Sequence, residues 1–358
     1  MQKVNLARLK NCMRRAEKGE ELTIGFFGGS ITQGCAATVH EKSYAYRVFE
    51  WWEKTFPKAE LHYVNGGIGG TTSHFGVSRV VSDLLMYQPD MVVVDFSVND
   101  EAEEFFQETY EGVMRRILRW KSKPAILILN NVYYDSGKNA QDYHNKVGEW
   151  YQIPCVSMKD TLYQGMRKGR YSKEELTQDG LHPNDRGHEL VASEIIAALE
   201  HVRTHAGEKE DEPALPEPMT ANAYENARRH TIQEISPELM GFCTDAEEKT
   251  GHLDLFKNGW IGKRAGDRIS FEIEAACIAV QYRKTVARPA LRARLILDDD
   301  TANAWILDGN FDMDWGDCAY LKSVLHHGEK MRHRVDIEII DGGLKQAEPF
   351  YLMSIITA

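Results

Sequence analysis

Between Glu21 and Arg203 short, near-continuously apolar runs alternate with stretches whose apolar residues recur every three or four positions; past His205–Pro218 that alternation stops. Leu22–Phe27, Leu61–Val64, Met91–Phe96 and Ala125–Leu129 read as strands of a parallel sheet covered on both faces. The stretches Val4–Lys18, Ser43–Lys54, His74–Tyr87, Phe105–Ser122, Ala140–Tyr151 and Asn184–His201 read as helices, and Pro57, Pro89 and Pro124 stand beyond three of them. Repeated strand-helix units predict an α/β fold, a three-layer α/β/α sandwich. After the acidic, proline-bearing stretch, Ser270–Ala275, Ile278–Arg283, Arg292–Leu297, Trp305–Leu307, Arg334–Ile339 and Phe350–Ile356 are short and β-rich, and Val335, Ile337 and Ile339 alternate with Asp336 and Glu338. That period of two predicts a half-buried antiparallel strand, and the set predicts a β-sandwich. At 358 residues the chain also exceeds what one hydrophobic core usually supports. The expected division is a domain at 1–203, a solvated linker at 204–220 and a β-sandwich at 221–358.

Composition narrows the partners. The chain carries 54 acidic against 43 basic residues, a net charge of −11 that repels a phosphate backbone, so nucleic acid is excluded as a partner. No run approaches the ~20 apolar residues that span a bilayer, and Met1–Lys10 lacks a leader's apolar stretch, so no membrane partner and a cytoplasmic location are expected. Six cysteines (Cys12, Cys35, Cys155, Cys243, Cys277 and Cys318) show no C-x-x-C pair and no metal-ligand spacing. They read as reduced thiols.

The chemistry concentrates at strand ends. The first strand runs into Gly28-Gly29-Ser30-Ile31-Thr32, which puts a serine on a tight turn at the edge where open α/β sheets bind ligands. A glycine-rich phosphate loop is the competing reading, but neither usual phosphate-loop pattern is satisfied. Near the end of the same domain stands Asp179-Gly-Leu-His182, where the aspartate can accept from the imidazole Nδ1–H and leave Nε2 to take the Ser30 proton. A capped turn with an incidental histidine would look the same. Acyl transfer also needs donors for an oxyanion. The turn Asn65-Gly-Gly-Ile-Gly-Gly70 offers the Gly70 N–H and Ser97-Val-Asn99-Asp100 offers the Asn99 amide, against the plainer readings of a strand-helix turn and a loop-holding asparagine.

These four blocks, in this order, resemble the SGNH (GDSL-like) hydrolase superfamily over about residues 20–203. The resemblance implies a flavodoxin-like sheet and Ser30 as nucleophile. The Ser30 N–H, the Gly70 N–H and the Asn99 side chain would form the oxyanion hole, with His182 as base and Asp179 orienting it. Two positions depart from the common pattern: the first block reads Gly-Gly-Ser rather than Gly-Asp-Ser, and Ser97 replaces a frequent glycine. The Gly-Gly-Ser-Ile-Thr form is more like the carbohydrate-esterase members. The expected function is therefore a serine esterase that takes acetyl groups from acetylated mannan or xylan oligosaccharides, with no cofactor and no metal. A lipase or thioesterase of the same superfamily is the alternative within enzymes, and a non-catalytic carbohydrate-binding protein is the alternative outside them.

Other residues receive plainer readings. Asp90, Asp95 and Asp100 bracket the third strand and are expected to be solvated or capping, with a buttress for the loop near Asn99 as the competing reading for Asp100. Arg79 and His74 follow the Gly70 loop and are expected on a helix surface, with substrate contact as the competing reading; His188 is expected on the last helix without metal partners, and the adjacent His326 and His327 on opposite sides of a strand. In the second domain Trp260, Trp305 and Trp315 are candidates for stacking on a sugar ring, with sandwich core as the competing reading for each; the module resembles jelly-roll carbohydrate-binding modules. Asp298–Asp300 reads as a hairpin turn. An isologous homodimer is the default assembly.

Overall fold

The computed structural model describes residues 4–205, 210–342 and 346–358. The chain divides into two compact units, Met1–Glu225 and Asn226–Ala358. The first is built on strands β1 (Glu21–Gly28), β2 (Glu60–Asn65), β3 (Met91–Asp95), β4 (Ala125–Asn130) and β5 (Cys155–Ser157), all parallel, in the order β2-β1-β3-β4-β5. The order reverses between β1 and β3, and the crevice at their carboxyl ends is where an open α/β sheet receives a ligand. Side chains alternate across each strand, so Ile24, Phe26, Met91 and Val93 pack on one face under α1 (Ala7–Glu17), α3 (Tyr44–Thr55) and α9 (Asp185–Thr204). Phe27, Val92 and Val94 are buried on the other face, toward α4 (Ser73–Asp83), α5 (Glu104–Leu118) and α6 (Gln141–Trp150). Three layers result, as the sequence predicts. A single turn, α2 (Ser30–Gln33), follows β1; two more, α7 (Gln164–Arg167) and α8 (Lys173–Leu176), precede α9.

The stretch expected as a solvated linker behaves differently. Residues 206–209 lie outside the described residues, but residues 210–225 dock on the first unit. Fully buried Glu111 on α5 accepts from the N–H groups of Met219 (2.6 Å) and Thr220 (2.8 Å), while Arg115 donates to Pro216 O (3.0 Å) and pairs with Glu225 (2.7 Å). Arg8 holds Glu212 at 2.6 Å. An acidic, proline-rich composition signals that a segment cannot form a core of its own, but says nothing about side chains elsewhere that bind its backbone. Glu111 and Arg115, one helical turn apart, supply those partners.

The second unit is two antiparallel sheets. One has the order β13 (Trp305–Asp308), β12 (Arg292–Leu297), β15 (Met331–Ile339), β10 (Arg268–Ala275), β7 (Glu238–Met240). The other runs β14 (Cys318–Leu325), β11 (Ile278–Lys284), β16 (Phe350–Thr357), β9 (Trp260–Gly262), β8 (Cys243–Thr244), with β6 (Arg228–His230) also on β16. Phe271, Leu295, Val335 and Ile337 of the first sheet share one core with Val280, Phe350, Leu352 and Ile355 of the second, which makes a β-sandwich. Trp260 is corrected from a sugar-facing candidate to core: it is fully buried, edge-on to Phe271 at 5.3 Å. Strand β14 escapes the sequence reading because it is an edge strand, where half-exposed Tyr320 and Lys322 blur the alternation. His326 and His327 lie beyond β14 in a bend with their rings 4.2 Å apart, so no strand places them on opposite sides as expected.

Candidate active site

Strand β1 delivers Ser30 as the first residue of α2, where its N–H has no intrahelical acceptor. Its Oγ lies 2.8 Å from His182 Nε2, and His182 Nδ1 lies 2.6 Å from Asp179 Oδ2. Asp179 reaches this position through its own turn: Oδ1 accepts from the N–H groups of Leu181 (2.9 Å) and His182 (2.8 Å) and from the Thr177 hydroxyl (3.1 Å). A bridge from Thr177 to Pro183 closes the turn, and Gly180 takes φ +83, a left-handed conformation that favours glycine. Partial burial pushes the Asp179 carboxyl up, but the His182 ring and the two backbone N–H groups outweigh it and hold the pKa at about 2. The carboxylate is thus charged well below neutral pH and offers an acceptor to His182 Nδ1.

Gly28 and Gly29 serve close packing rather than a sharp bend, since Gly29 has the extended angles φ −91, ψ −150. A Cβ on Gly28 would come within 2.2 Å of Asp95 O, and one on Gly29 within 2.1 Å of Asn99 Oδ1. The Gly-Gly-Ser departure from Gly-Asp-Ser therefore lets the Asn99 side chain lie directly against the Ser30 turn. On the β2 side, Asn65 Nδ2 donates to Thr32 O (2.8 Å) and the Gly69 N–H donates to Gln33 Oε1 (2.7 Å), which clamps the glycine-rich turn to α2. The Ser30, Gly70 and Asn99 blocks thus meet at one end of the sheet. Within the first unit, among the described residues, no three His, Cys, Asp or Glu side chains are close enough to share a metal ion.

Beneath these groups lies a layer that the sequence reading caught only at Asp100, for which it offered capping and buttressing roles. Asp95, expected solvated or capping, is 1% exposed; it accepts from Asn131 Nδ2 (2.8 Å), and burial pushes its carboxyl up to about 6 against that bond and weaker ones from Ser97 and Thr32. Asp100 is also buried: it accepts from the Ser73 N–H at the start of α4 (2.8 Å) and lies 3.0 Å from fully buried His144, whose ring stacks on Tyr110. His188 is driven down to about 4 chiefly by burial, so it is neutral; Nδ1 accepts from the Tyr44 N–H (3.2 Å) and Nε2 donates to Cys35 O (3.0 Å). With Asp185, which accepts from the Thr38 N–H at 2.8 Å, it ties the segment after Ser30 to the helix that follows His182. Arg79 and His74, expected on a helix surface, are both buried. Asp100 caps the start of α4 beside Asn99; for Asp95, its place at the end of an apolar strand is the sequence signal that could have marked it as buried.

Comparison with known proteins follows the same division. The GDSL-like Lipase/Acylhydrolase family matches residues 26–190, the span that holds Ser30, Gly70, Asn99, Asp179 and His182. A two-domain esterase active on acetylated mannans, co-crystallized with mannopentaose, has a similar structure at TM-score 0.96 and 46% identity, covering 99% of this chain and 95% of that one. A second crystal structure of a two-domain esterase active on acetylated mannans gives 0.96 and 46%, covering 98% of this chain and 95% of that one. No curated protein matches the chain. With the family's span over the serine-histidine pair and 46% identity along nearly the whole length, the chain belongs to the GDSL-like lipase/acylhydrolase family and is a carboxylic ester hydrolase.

Proposed function

We propose that this hydrolase removes O-acetyl groups from mannan-derived oligosaccharides by a serine acyl-enzyme route. Ser30 Oγ attacks the acetyl carbonyl as His182 Nε2 takes its proton, and Asp179 stabilises the imidazolium. The Ser30 and Gly70 N–H groups and the Asn99 amide hold the oxyanion. Collapse expels the sugar alkoxide, which His182 protonates; a water activated by His182 then releases acetate. The observation that carries the substrate is that the likeness to an esterase active on acetylated mannans extends over 99% of this chain, second unit included. Supporting it within that unit, Trp315 is 55% exposed, with Phe311 edge-on at 4.9 Å, an aromatic face open to a sugar ring. Trp305 is half-buried against the sandwich core and serves it less well.

The test is acetate release from acetylated manno- and xylo-oligosaccharides beside esters of increasing acyl length. Acetylated manno-oligosaccharides are expected to turn over fastest, and Ser30→Ala to lose roughly 10⁴-fold or more in kcat with its melting temperature nearly unchanged. Preference for long acyl chains would make the enzyme a lipase or thioesterase. Undiminished turnover by Ser30→Ala would remove the nucleophile assignment.

A further inference from the structure

The catalytic relay does not account for the buried cation on α4. Arg79 is 1% exposed. Its Nη2 donates to Gly28 O at 3.0 Å and reaches Thr71 Oγ1 at 3.4 Å; its Nη1 donates to Gly66 O at 2.6 Å and pairs with Asp83 at 3.1 Å. The guanidinium lies 4.4 Å from the Phe27 ring centroid and 5.4 Å from that of Phe75. Gly28 is the last residue of β1, two before Ser30. Gly66 and Thr71 bracket the turn that carries Gly70, and the Thr71 hydroxyl closes that turn by donating to Ile68 O at 2.7 Å. One planar group thus joins the strand end before the serine to both ends of the glycine turn. A buried ion pair such as Arg79–Asp83 is often replaceable as a whole by well-packed apolar side chains with no loss of stability, so stability alone is a poor reason for a pair at this place. The planar guanidinium bonds carbonyls on two separate backbone segments from two nitrogens held at a fixed spacing, a geometry that a single-centred ammonium does not reproduce.

We propose that Arg79 is a positioning residue for the oxyanion: it fixes the turn that offers the Gly70 N–H relative to the strand end that offers the Ser30 N–H. The inference rests on the acyl-transfer reading above. Two donors preorganised for a tetrahedral oxygen act on the transition state and hardly on bound ester, so their misplacement shows in kcat rather than KM. Displacements of about 1 Å in such sites typically slow reaction about a hundredfold.

The test compares wild type, Arg79→Lys and Thr71→Val as full-length chains. Phosphonylation of Ser30 by a fluorophosphonate, kcat and KM on 4-nitrophenyl acetate, the pH profile of kcat/KM and the melting temperature are measured for each. Lysine keeps the charge but replaces two nitrogens at fixed spacing with one flexible ammonium. It is expected to lower kcat about ten- to a hundredfold, with KM within about twofold and the pH profile's midpoint unmoved, because His182 and Asp179 are untouched. Thr71→Val, a smaller change that preserves the guanidinium, is expected to lower kcat about three- to tenfold in the same manner. It decides the matter should the lysine chain not fold. A folded Arg79→Lys or Thr71→Val chain with wild-type kcat, or with a loss in KM alone, overturns the proposal. A wild type that the fluorophosphonate does not label at Ser30 overturns the acyl-transfer reading and this inference with it. A labelled wild type beside an unimpaired Arg79→Lys overturns this inference alone.

Discussion

The two units bury polar groups in different places. In the first, Arg79, Asp95, Asp100, His144 and His188 are all below a tenth exposed and gather around the carboxyl ends of β1 and β3 or the segments fastened to them. Many of their partners are main-chain atoms: Gly28 O, Gly66 O, Cys35 O, and the N–H groups of Ser73 and Tyr44. In the second, the core between the sheets is apolar, from Phe271 and Leu295 to Val335 and Ile355. Its charges pair on the outer faces of the sheets, some exposed, as Arg294 with Glu338 (3.3 Å), and some buried, as Asp336 with Arg268 (2.7 Å) and Arg334 (3.0 Å). A site assembled from loops at strand ends must have its backbone held by groups with fixed geometry, and buried ions and neutral histidines supply that. A sandwich needs only apolar surface on alternate positions.

The largest effect expected from this contrast belongs to Asp179→Asn. The amide would present an N–H where His182 Nδ1 needs an acceptor and so favour the wrong tautomer, which lowers kcat by about 10⁴ in comparable triads. Asp179's side chain is 54% exposed, so the melting temperature should scarcely move. Steady-state kinetics beside a thermal scan checks both; a loss of only a few-fold in kcat would show that Asp179 does not orient the base.

A core deletion in the second unit should behave in the opposite way. Ile337 is fully buried in the sandwich, and Ile337→Ala should destabilise by about 2–5 kcal/mol through lost burial and the cavity left behind. Kinetics of the still-folded variant on a small ester such as 4-nitrophenyl acetate should match wild type. A tenfold fall in kcat on that ester would mean that Ser30's reactivity depends on the sandwich core.

The same contrast explains what could be read in the sequence. Val335, Ile337 and Ile339 announce β15 because alternation is its whole design, and the apolar runs of β1, β3 and β4 are similarly plain. Ser30, His182, Asp179, Gly70 and Asn99 were legible through their order along the chain, a pattern in the residues themselves. Arg79 was not: a charged residue on a helix reads as surface, and its partners are carbonyl oxygens that no pattern of side chains reveals. Glu111 and the docked segment 210–225 were hidden for the same reason, since the bonds run from a helix to another segment's backbone. The three-residue strand β5 falls below the length at which periodicity carries a signal.

The finest division lies between two buried carboxylates, one in each unit, whose effects on stability run in opposite directions with pH. Asp95 has its carboxyl raised from 3.8 to about 6, chiefly by burial. From about pH 4 to 6 the unfolded chain gives up that proton while the folded one keeps it, so stability falls as pH rises through the window, by at most about 3 kcal/mol. Asp336 is also pushed up by burial, but the Ser270 hydroxyl and the Arg268 and Arg334 guanidinium groups outweigh that and leave it below the ordinary value. Its stabilising contribution is present above the unfolded pKa and disappears as acid protonates the folded carboxylate. Thermal unfolding of wild type, Asp95→Asn and Asp336→Asn between pH 3 and 8 separates the two. The Asp95→Asn chain should gain on wild type as pH rises from about 4 to 6 and hold that gain above it, because the amide has no proton to lose. The Asp336→Asn chain should trail wild type near neutrality and draw level on acidification. If both differences carried the same sign, buried carboxylates would be under one regime in both units, and the division drawn between a held active-site edge and an apolar sandwich would fail where it is most exposed to test.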